Sequence, residues 1–348
     1  MSTLNAKLSD LRTFLHAPPS PELWKRLWHH LGTWRHQPGF AIACDYTSQV
    51  LATWPDALRC ASEAELDDDD DPRWTLVRTL HLRGDRLDSS LLGKLQAITG
   101  IHLDQIAPAQ RVLDPAQTPH LHTLHLRGAA WADTLPDLLR WRPWSRLDHL
   151  SLNRCGLHDR HLVPLLERTF PALTHLDLSS NPLTDRSARS LAETGPQRRQ
   201  LRILNLGRTR ITEVGIAAVL HGLTRLTALG LDGLDLPSTI WGEVVQSSLV
   251  GNHPRLDSLR DRHLGDVPIE MLARSPRLTR VRHLDLTGND LTGRAIKALV
   301  ESPYLHHLTT LALAHNAIDA PSVQMLLSAS DTFPQLTHLD LTYNQTGD

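Results

Sequence analysis

Along most of this chain apolar and polar positions follow one repeating arrangement. Leu173, Leu176, Leu178, Asn181 and Leu183 define it, and the same offsets return at Val281, Leu284, Leu286, Asn289 and Leu291. They return again at Leu308, Leu311, Leu313, Asn316 and Ile318, and at Leu336, Leu339, Leu341 and Asn344. Recognisable units begin at Val77, Leu121, Leu147, Leu173, Leu201, Leu226, Leu256, Val281, Leu308 and Leu336. From Leu121 onward they are spaced 26, 26, 28, 25, 30, 25, 27 and 28 residues apart. The 44-residue step from Val77 to Leu121 leaves room for a degenerate short unit at Ile98, where Ile101, Leu103 and Ile106 fit the frame. That makes ten units, or eleven with the degenerate one.

Each unit changes period halfway. The first half alternates apolar and polar residues, which predicts a short strand. The second half places apolar residues three and four apart after a Thr, as after Leu183, Ile211 and Leu291, and exits on Gly or Pro. That predicts an amphipathic helix of two to three turns. Units of strand, turn and helix bury their apolar faces only against their neighbours. The expected fold class is therefore α/β, a curved right-handed solenoid with parallel inner strands and outer helices. In the Leu256 unit Asp261 stands where the third leucine is due, so that strand should be distorted.

The repeating frame resembles the leucine-rich repeat family, in its ribonuclease-inhibitor-like class, over residues 74–348. The resemblance implies a horseshoe. Asn181, Asn289, Asn316 and Asn344 match the family's Asn position, and Asp85, Cys155 and Thr209 stand there as alternative hydrogen-bonding groups.

Residues 1–66 carry no repeat. Leu4, Leu8, Leu11 and Leu15 follow helical spacing, Ser20-Pro21-Glu22 starts a second helix, and Leu23, Trp24, Leu27, Trp28, Leu31 and Trp34 give it an apolar stripe. A third helical stretch runs from Phe40 to Trp54, before Pro55. A solenoid needs its first strand covered, so this segment reads as a small helical N-terminal capping domain. Residues 67–73 read as an acidic linker: repulsion along Asp67–Asp71 should keep the run solvated, and it lacks the alternating spacing of a calcium loop.

Composition narrows the function. The formal net charge of −2 argues against general affinity for nucleic acid or membranes. No apolar run is long enough to span a bilayer and no signal segment opens the chain, so a cytoplasmic location is expected. Cys44, Cys60 and Cys155 have no metal-ligand or disulfide spacing. The 21 histidines make the charge sensitive to pH between about 5 and 7.

On each strand the residues between the leucines face the concave surface. They comprise His81, Arg83, His125, Arg127, His149, His175, Asp177, Asn205, Asp232, Arg260, Asp285 and Asp340, with Asn153 and Arg154 beside them. The N-terminal end is basic and acidic residues appear further along. His175/Asp177, His283/Asp285 and His338/Asp340 place an imidazole and a carboxylate on one face. Residues two apart on a flat strand seldom converge on one atom, so neither a metal site nor catalysis is expected. No nucleophile, phosphate-loop or dinucleotide motif occurs, and no cofactor is expected. The function expected is a non-enzymatic scaffold that binds a partner protein on its concave face. Repeat class alone suggests an alternative, the regulation of a small GTPase as an activating protein. The last strand, with Leu336, Leu339 and Leu341, offers an uncapped end, open to a weak homodimer, to a docked partner or to a frayed final repeat.

Overall fold

The computed structural model describes residues 2–35, 37–62, 65, 71–83, 97–104, 118–140, 144–167, 170–193, 199–247, 249–250, 255–256 and 259–345. The chain divides into two compact units, Met1–Cys155 (unit 1) and Gly156–Asp348 (unit 2).

Unit 1 opens with the helices α1 (Ser2–His16), α2 (Pro21–Gly32) and α3 (Phe40–Val50). Ser20 starts α2: its Oγ accepts the Leu23 N–H at 3.1 Å, and Pro21 occupies a first-turn position where an amide proton is not needed. The stripe Leu23, Trp24, Leu27, Trp28 and Leu31 is buried, with Trp34 beyond it. The chain then enters β1 (Cys60–Ser62), which pairs in parallel with β2 (Thr79–Arg83). The strands β3 (Gly100–Asp104), β4 (Thr123–Arg127) and β5 (His149–Ser151) follow in sequence order, and α4 (Trp131–Arg140) separates the last two along the chain. The short unit at Ile98 thus supplies β3, between β2 and β4.

The helical segment is bolted to this sheet by buried polar groups. Trp24 Nε1 donates to the Cys60 carbonyl at 2.6 Å. Arg59, 2% exposed, donates from Nε to Leu76 O at 2.9 Å and from Nη1 to Leu51 O at 3.3 Å. Burial pulls its pKa down to about 10, which leaves it charged at neutral pH. Asp71 corrects the expectation of a solvated aspartate run. Its carboxylate is buried and grips Arg73, with Nη2–Oδ2 at 2.6 Å and the Arg73 amide on Oδ1 at 2.9 Å. Asp67–Asp70 lie outside the described residues. The fifth aspartate escapes the run's repulsion because a cation two residues away neutralises it.

Unit 2 repeats strand and helix. Its strands are β6 (His175–Asp177), β7 (Ile203–Asn205), β8 (Ala228–Gly230), β9 (Arg255–Leu256), β10 (His283–Asp285), β11 (Thr310–Ala312) and β12 (His338–Asp340). Consecutive strands pair in parallel from β6 to β8 and from β9 to β12. The helices are α5 (Asp159–Glu167), α6 (Asp185–Glu193), α7 (Glu213–Gly222), α8 (Ser238–Gln246), α9 (Asp266–Ala273), α10 (Gly293–Val300) and α11 (Ala320–Leu327). Frame leucines such as Leu178, Leu204, Leu284, Leu286, Leu311 and Leu313 are fully buried. At β12 the burial weakens, and Leu336, Leu339 and Leu341 are half-buried.

Two ladders tie the repeats together. One runs through the Asn position. Asn289 Oδ1 accepts the Arg262 amide at 3.1 Å, and its Nδ2 donates to Leu259 O and Thr287 O at 2.8 and 3.1 Å. Asn316 repeats this one unit on, accepting from Asn289 and Leu291 and donating to Leu286 O. Cys155 fills the same place with Sγ on Leu126 O at 3.1 Å, and Thr209 with Oγ1 on Leu206 O at 2.7 Å. The second ladder joins helix starts. Asp159 accepts from Thr184 N and Oγ1 (2.9 and 2.6 Å), Asp185 from Thr212 (2.8 Å each), and Asp266 from Thr292 (2.8 and 2.6 Å). Each carboxylate sits at the positive end of its own helix and anchors the start of the next. Burial raises the pKa of Asp159, but the Ser187 and Thr184 hydrogen bonds outweigh it and hold the carboxyl below its usual range.

The reading that set Leu256 level with Val281 is corrected. Leu256 pairs with Leu284, and the fully buried Leu259 gives its carbonyl to Asn289 as Leu286 does to Asn316. Two residues stand between Leu256 and Leu259, against one between Leu284 and Leu286. The extra residue breaks the period-two alternation of the frame. Arg255, not Ser258, therefore stands beside His283.

Asn289→Ala should cost about 2–4 kcal/mol, because one fully buried side chain serves several backbone groups. Asn344→Ala, half-buried in the last unit, should cost about 1 kcal/mol. Urea unfolding of both variants checks this, and equal losses would argue against a ladder stiffened by burial.

Candidate partner-binding face

In unit 1, alternation buries Leu80, Leu82, Ile101, Leu103, Leu124, Leu126 and Leu150 at 0–3% exposure. The residues between them stand on the opposite face, and the register sets them in rows. Thr79, Gly100, Thr123 and His149 form one row, and His81, His102, His125 and Ser151 the next. Arg83, Asp104 and Arg127 form the third. Gly100 is needed where it is: a Cβ there would lie 2.8 Å from Thr79 Oγ1.

The imidazole row is a stack. His81 and His102 lie 4.2 Å apart between ring centroids at 23°, and His102 and His125 lie 4.0 Å apart at 18°. Burial, followed by the adjacent His125 and His81, pushes His102 down to about 3. Burial also lowers His81, against the nearby Glu65. His102 is therefore neutral at physiological pH. Asp104 lies level with Arg83 and Arg127, and its Oδ1 is buried without a hydrogen-bond partner.

The register thus places His81, Arg83, His125, Arg127 and His149 at outward positions of neighbouring strands. Asn153 and Arg154 follow β5 in a turn where Arg154 adopts φ 54°, and its carbonyl accepts the Gly128 amide at 3.2 Å. His149 Nδ1 pairs with Asp148 Oδ1 at 2.6 Å. His102 and Asp104 were missed by reading only the clear units. The signal was present in the alternation of Ile101 and Leu103.

The unit 2 residues form a different set. Asp177, Asn205, Asp285 and Asp340 each turn Oδ1 onto the amide two residues on, at 2.9–3.0 Å from Ser179, Gly207, Thr287 and Thr342. Side chains of this kind close the turn after the strand, so their position has a structural reason of its own. Hydrogen bonds from Thr342 hold the Asp340 carboxyl below its usual range. Arg260 Nη1 lies 3.6 Å from Asp285 Oδ2, and Arg262 Nη2 donates to Asp232 at 2.9 Å while its guanidinium lies 5.7 Å from the Trp241 ring centroid. His175 and His338 pair through Nδ1 with the preceding threonines, Thr174 and Thr337, at 2.7 and 2.8 Å.

Among the described residues no three His, Cys, Asp or Glu side chains are grouped to hold a metal ion. The Cys44 thiol, pushed up to about 12 chiefly by burial, and the Cys60 thiol, raised by burial, do not suit nucleophiles. No described helix is long and apolar enough to cross a membrane.

Comparison with known proteins agrees with the repeats. A leucine-rich repeat family model matches residues 171–192, 278–300 and 304–327. Protein NLRC5 of Mus musculus is 35% identical over 144 residues, 40% of this chain and 7% of that protein. Protein NLRC5 of Homo sapiens is 28% identical over 230 residues, 57% of this chain and 12% of that protein. The chain therefore corresponds to a small part of the curated relatives it matches. An internalin (inlF) from Listeria monocytogenes str. 4b F2365 aligns over 91% of this chain and 92% of its own, with 13% identity and a TM-score of 0.39, too loose a superposition to bear on the fold. The apolar frame, the parallel strands, the Asn ladder and the family match agree: this is a leucine-rich repeat protein.

Proposed function

We propose that this protein is a non-enzymatic, cytoplasmic interaction scaffold of the ribonuclease-inhibitor-like repeat class, and that it holds a partner protein against the strand face of unit 1. The observation that carries this reading is the three-row surface of His81, His102, His125, Arg83, Arg127 and His149. Its leucines are spent on the core, which leaves most of the residues between them to meet a partner. The surface is rich in hydrogen-bond donors, and charge laid out this way orients and steers an incoming protein. The unit 2 residues Asp232, Arg260, Asp285 and Asp340 are engaged with one another or with their own turns and make a weaker case.

The test is affinity capture from the source cell with the intact protein, followed by binding measurements on the partner recovered. Arg127→Glu should weaken binding by about tenfold or more at low salt, and the difference should shrink in high salt. Equal affinity of parent and variant at both salt concentrations would place the docking face elsewhere.

A further inference from the structure

In unit 2 the segment between α9 and β10, residues 274–282, holds Arg274, Arg277, Arg280 and Arg282. All four are exposed, and among the described residues none of their guanidinium groups makes a hydrogen bond or an ion pair. The backbone that carries them is firmly seated. Pro276–Arg280 is a 3-10 turn, with the Leu278 amide on Ser275 O at 3.1 Å and the Val281 amide on Leu278 O at 2.9 Å. Thr279 Oγ1 adds a bond to Pro276 O at 2.9 Å. Residues three apart eclipse one another on such a turn. Leu278 and Val281 are both fully buried, and Arg277 and Arg280 leave the turn together on the solvent side. Val281 is extended, at φ −80° and ψ 129°, which turns Arg282 away from the core as well. The Arg282 carbonyl is held by the Thr309 and Thr310 amides at 2.8 and 3.0 Å.

Arg274 has a local reason for its charge. It follows the C-terminal end of α9, where a cation answers the helix dipole. The other three have none, and like charges crowded on one short segment weaken the fold. No acid answers them from nearby sequence: residues 247–256 and 274–282 contain no Asp or Glu. Toward β11 and β12 the patch is bounded by acids. Glu301 is exposed and lies 3.8 Å from Lys297, and Asp331 is exposed beyond it.

We infer that Arg277, Arg280 and Arg282 form a seat for a phosphorylated side chain on a segment of a partner protein. A phosphomonoester puts nearly two negative charges and three acceptor oxygens on one side chain. Guanidinium forks match those oxygens, and arginine clusters are a general means of reading them. A carboxylate brings one charge and two oxygens, so an acidic segment needs several residues to converge where one phosphorylated residue suffices. Nucleic acid and anionic membranes spread their charge over a long surface, whereas this patch is short and sits on a chain of net charge −2. The seat lies in unit 2 and does not depend on the docking face assigned to unit 1.

The experiment uses the full chain and degenerate peptide pools of equal length, centred on phosphoserine, on serine or on glutamate, with binding read by fluorescence anisotropy. The phosphoserine pool should bind about tenfold or more tighter than the other two, the effect expected of one charge-assisted hydrogen bond. Arg277→Gln with Arg280→Gln should remove that preference. Neither side chain has a bond to lose, so the double variant should melt with the parent, and Arg282→Gln serves as the second variant should it not. Arg277→Lys with Arg280→Lys keeps the charge without the fork and should keep only part of the preference. Arg127→Glu in unit 1 should leave it unchanged. Equal binding of the glutamate pool would make the patch a reader of acidic segments in general. Tighter binding of a mixed-sequence single-stranded oligonucleotide, or of phosphatidylserine vesicles, would assign it to nucleic acid or to a membrane. No preference for phosphoserine, or a preference kept in both glutamine variants, would show a solvated cluster or a seat elsewhere. Each of these outcomes overturns the inference.

Discussion

Asp71→Ala will destabilise unit 1 by about 3–5 kcal/mol, the loss expected when one partner of a buried ion pair is removed. The Asp71 side chain is 1% exposed and that of Arg73 8%. Arg73 Nε reaches both carboxylate oxygens at 3.1 and 3.0 Å, Nη2 adds a contact of 2.6 Å, and Arg35 approaches to 3.7 Å. The Arg73 guanidinium also lies 4.6 Å from the Trp28 ring centroid, which ties helix α2 to the turn leading into β2. Without Asp71 that guanidinium stays buried and loses its counter-charge. Burial raises the Asp71 pKa, but the Arg73 hydrogen bonds and charge outweigh it and hold the carboxyl low. A carboxyl lowered in the folded state contributes stability above its unfolded value of about 3.9, and the contribution disappears as pH falls through the folded value. Fluorescence isolates the effect, because of nine tryptophans only Trp241 lies in unit 2. The double change Asp71→Ala with Arg73→Met should lose less than Asp71→Ala alone, since no orphaned charge remains. A loss below about 1 kcal/mol would instead describe a solvated acid pairing at the surface.

What could be read from the sequence follows from where the physics is periodic. The offsets of Leu173, Leu176, Leu178 and Asn181 recur because every unit solves the same burial problem, so strands, helices and their parallel order were visible. Cys155 and Thr209 could be placed on the Asn ladder by chemistry alone, and both do bond a backbone carbonyl there. Failures came where one residue breaks the count. The extra residue between Leu256 and Leu259 shifts Arg255 beside His283, and no local signal marks which position absorbs it. In the sequence Asp71 groups with its neighbours because charge repulsion is a property of the run, whereas its burial depends on Arg73, Arg35 and Trp28 meeting in space. The inner face was legible as rows in the clear units, yet the short β3 unit hid His102 and Asp104. The aspartates of β6, β10 and β12 stand two residues from histidines on the same face of the sequence frame, and only the backbone trajectory shows them closing turns.

The stacked imidazoles carry a second large effect, on stability rather than binding. His102 has a folded pKa of about 3 against an unfolded value of about 6.5. A histidine lowered in the folded state contributes its stability fully above about 6.5, where both states are neutral, and loses it as the unfolded chain gains a proton first. Each pH unit below that point should cost unit 1 up to about 1.4 kcal/mol through this one group, less whatever water screens at the half-buried ring. His81, also lowered by burial, acts in the same direction. The window is diagnostic. The acids held low, Asp71 and Asp159 among them, lose their contributions only below about pH 4, so a decline between about 6.5 and 4 belongs to imidazoles. Tryptophan-detected unfolding of unit 1 should therefore shift to lower urea concentration steadily over that range. His102→Gln keeps a polar side chain of similar reach and removes the titration, so its unfolding midpoint should change much less between pH 6.5 and 4. A variant whose decline parallels the parent's would show that the stack does not store this energy, and that protonation elsewhere among the histidines weakens the unit.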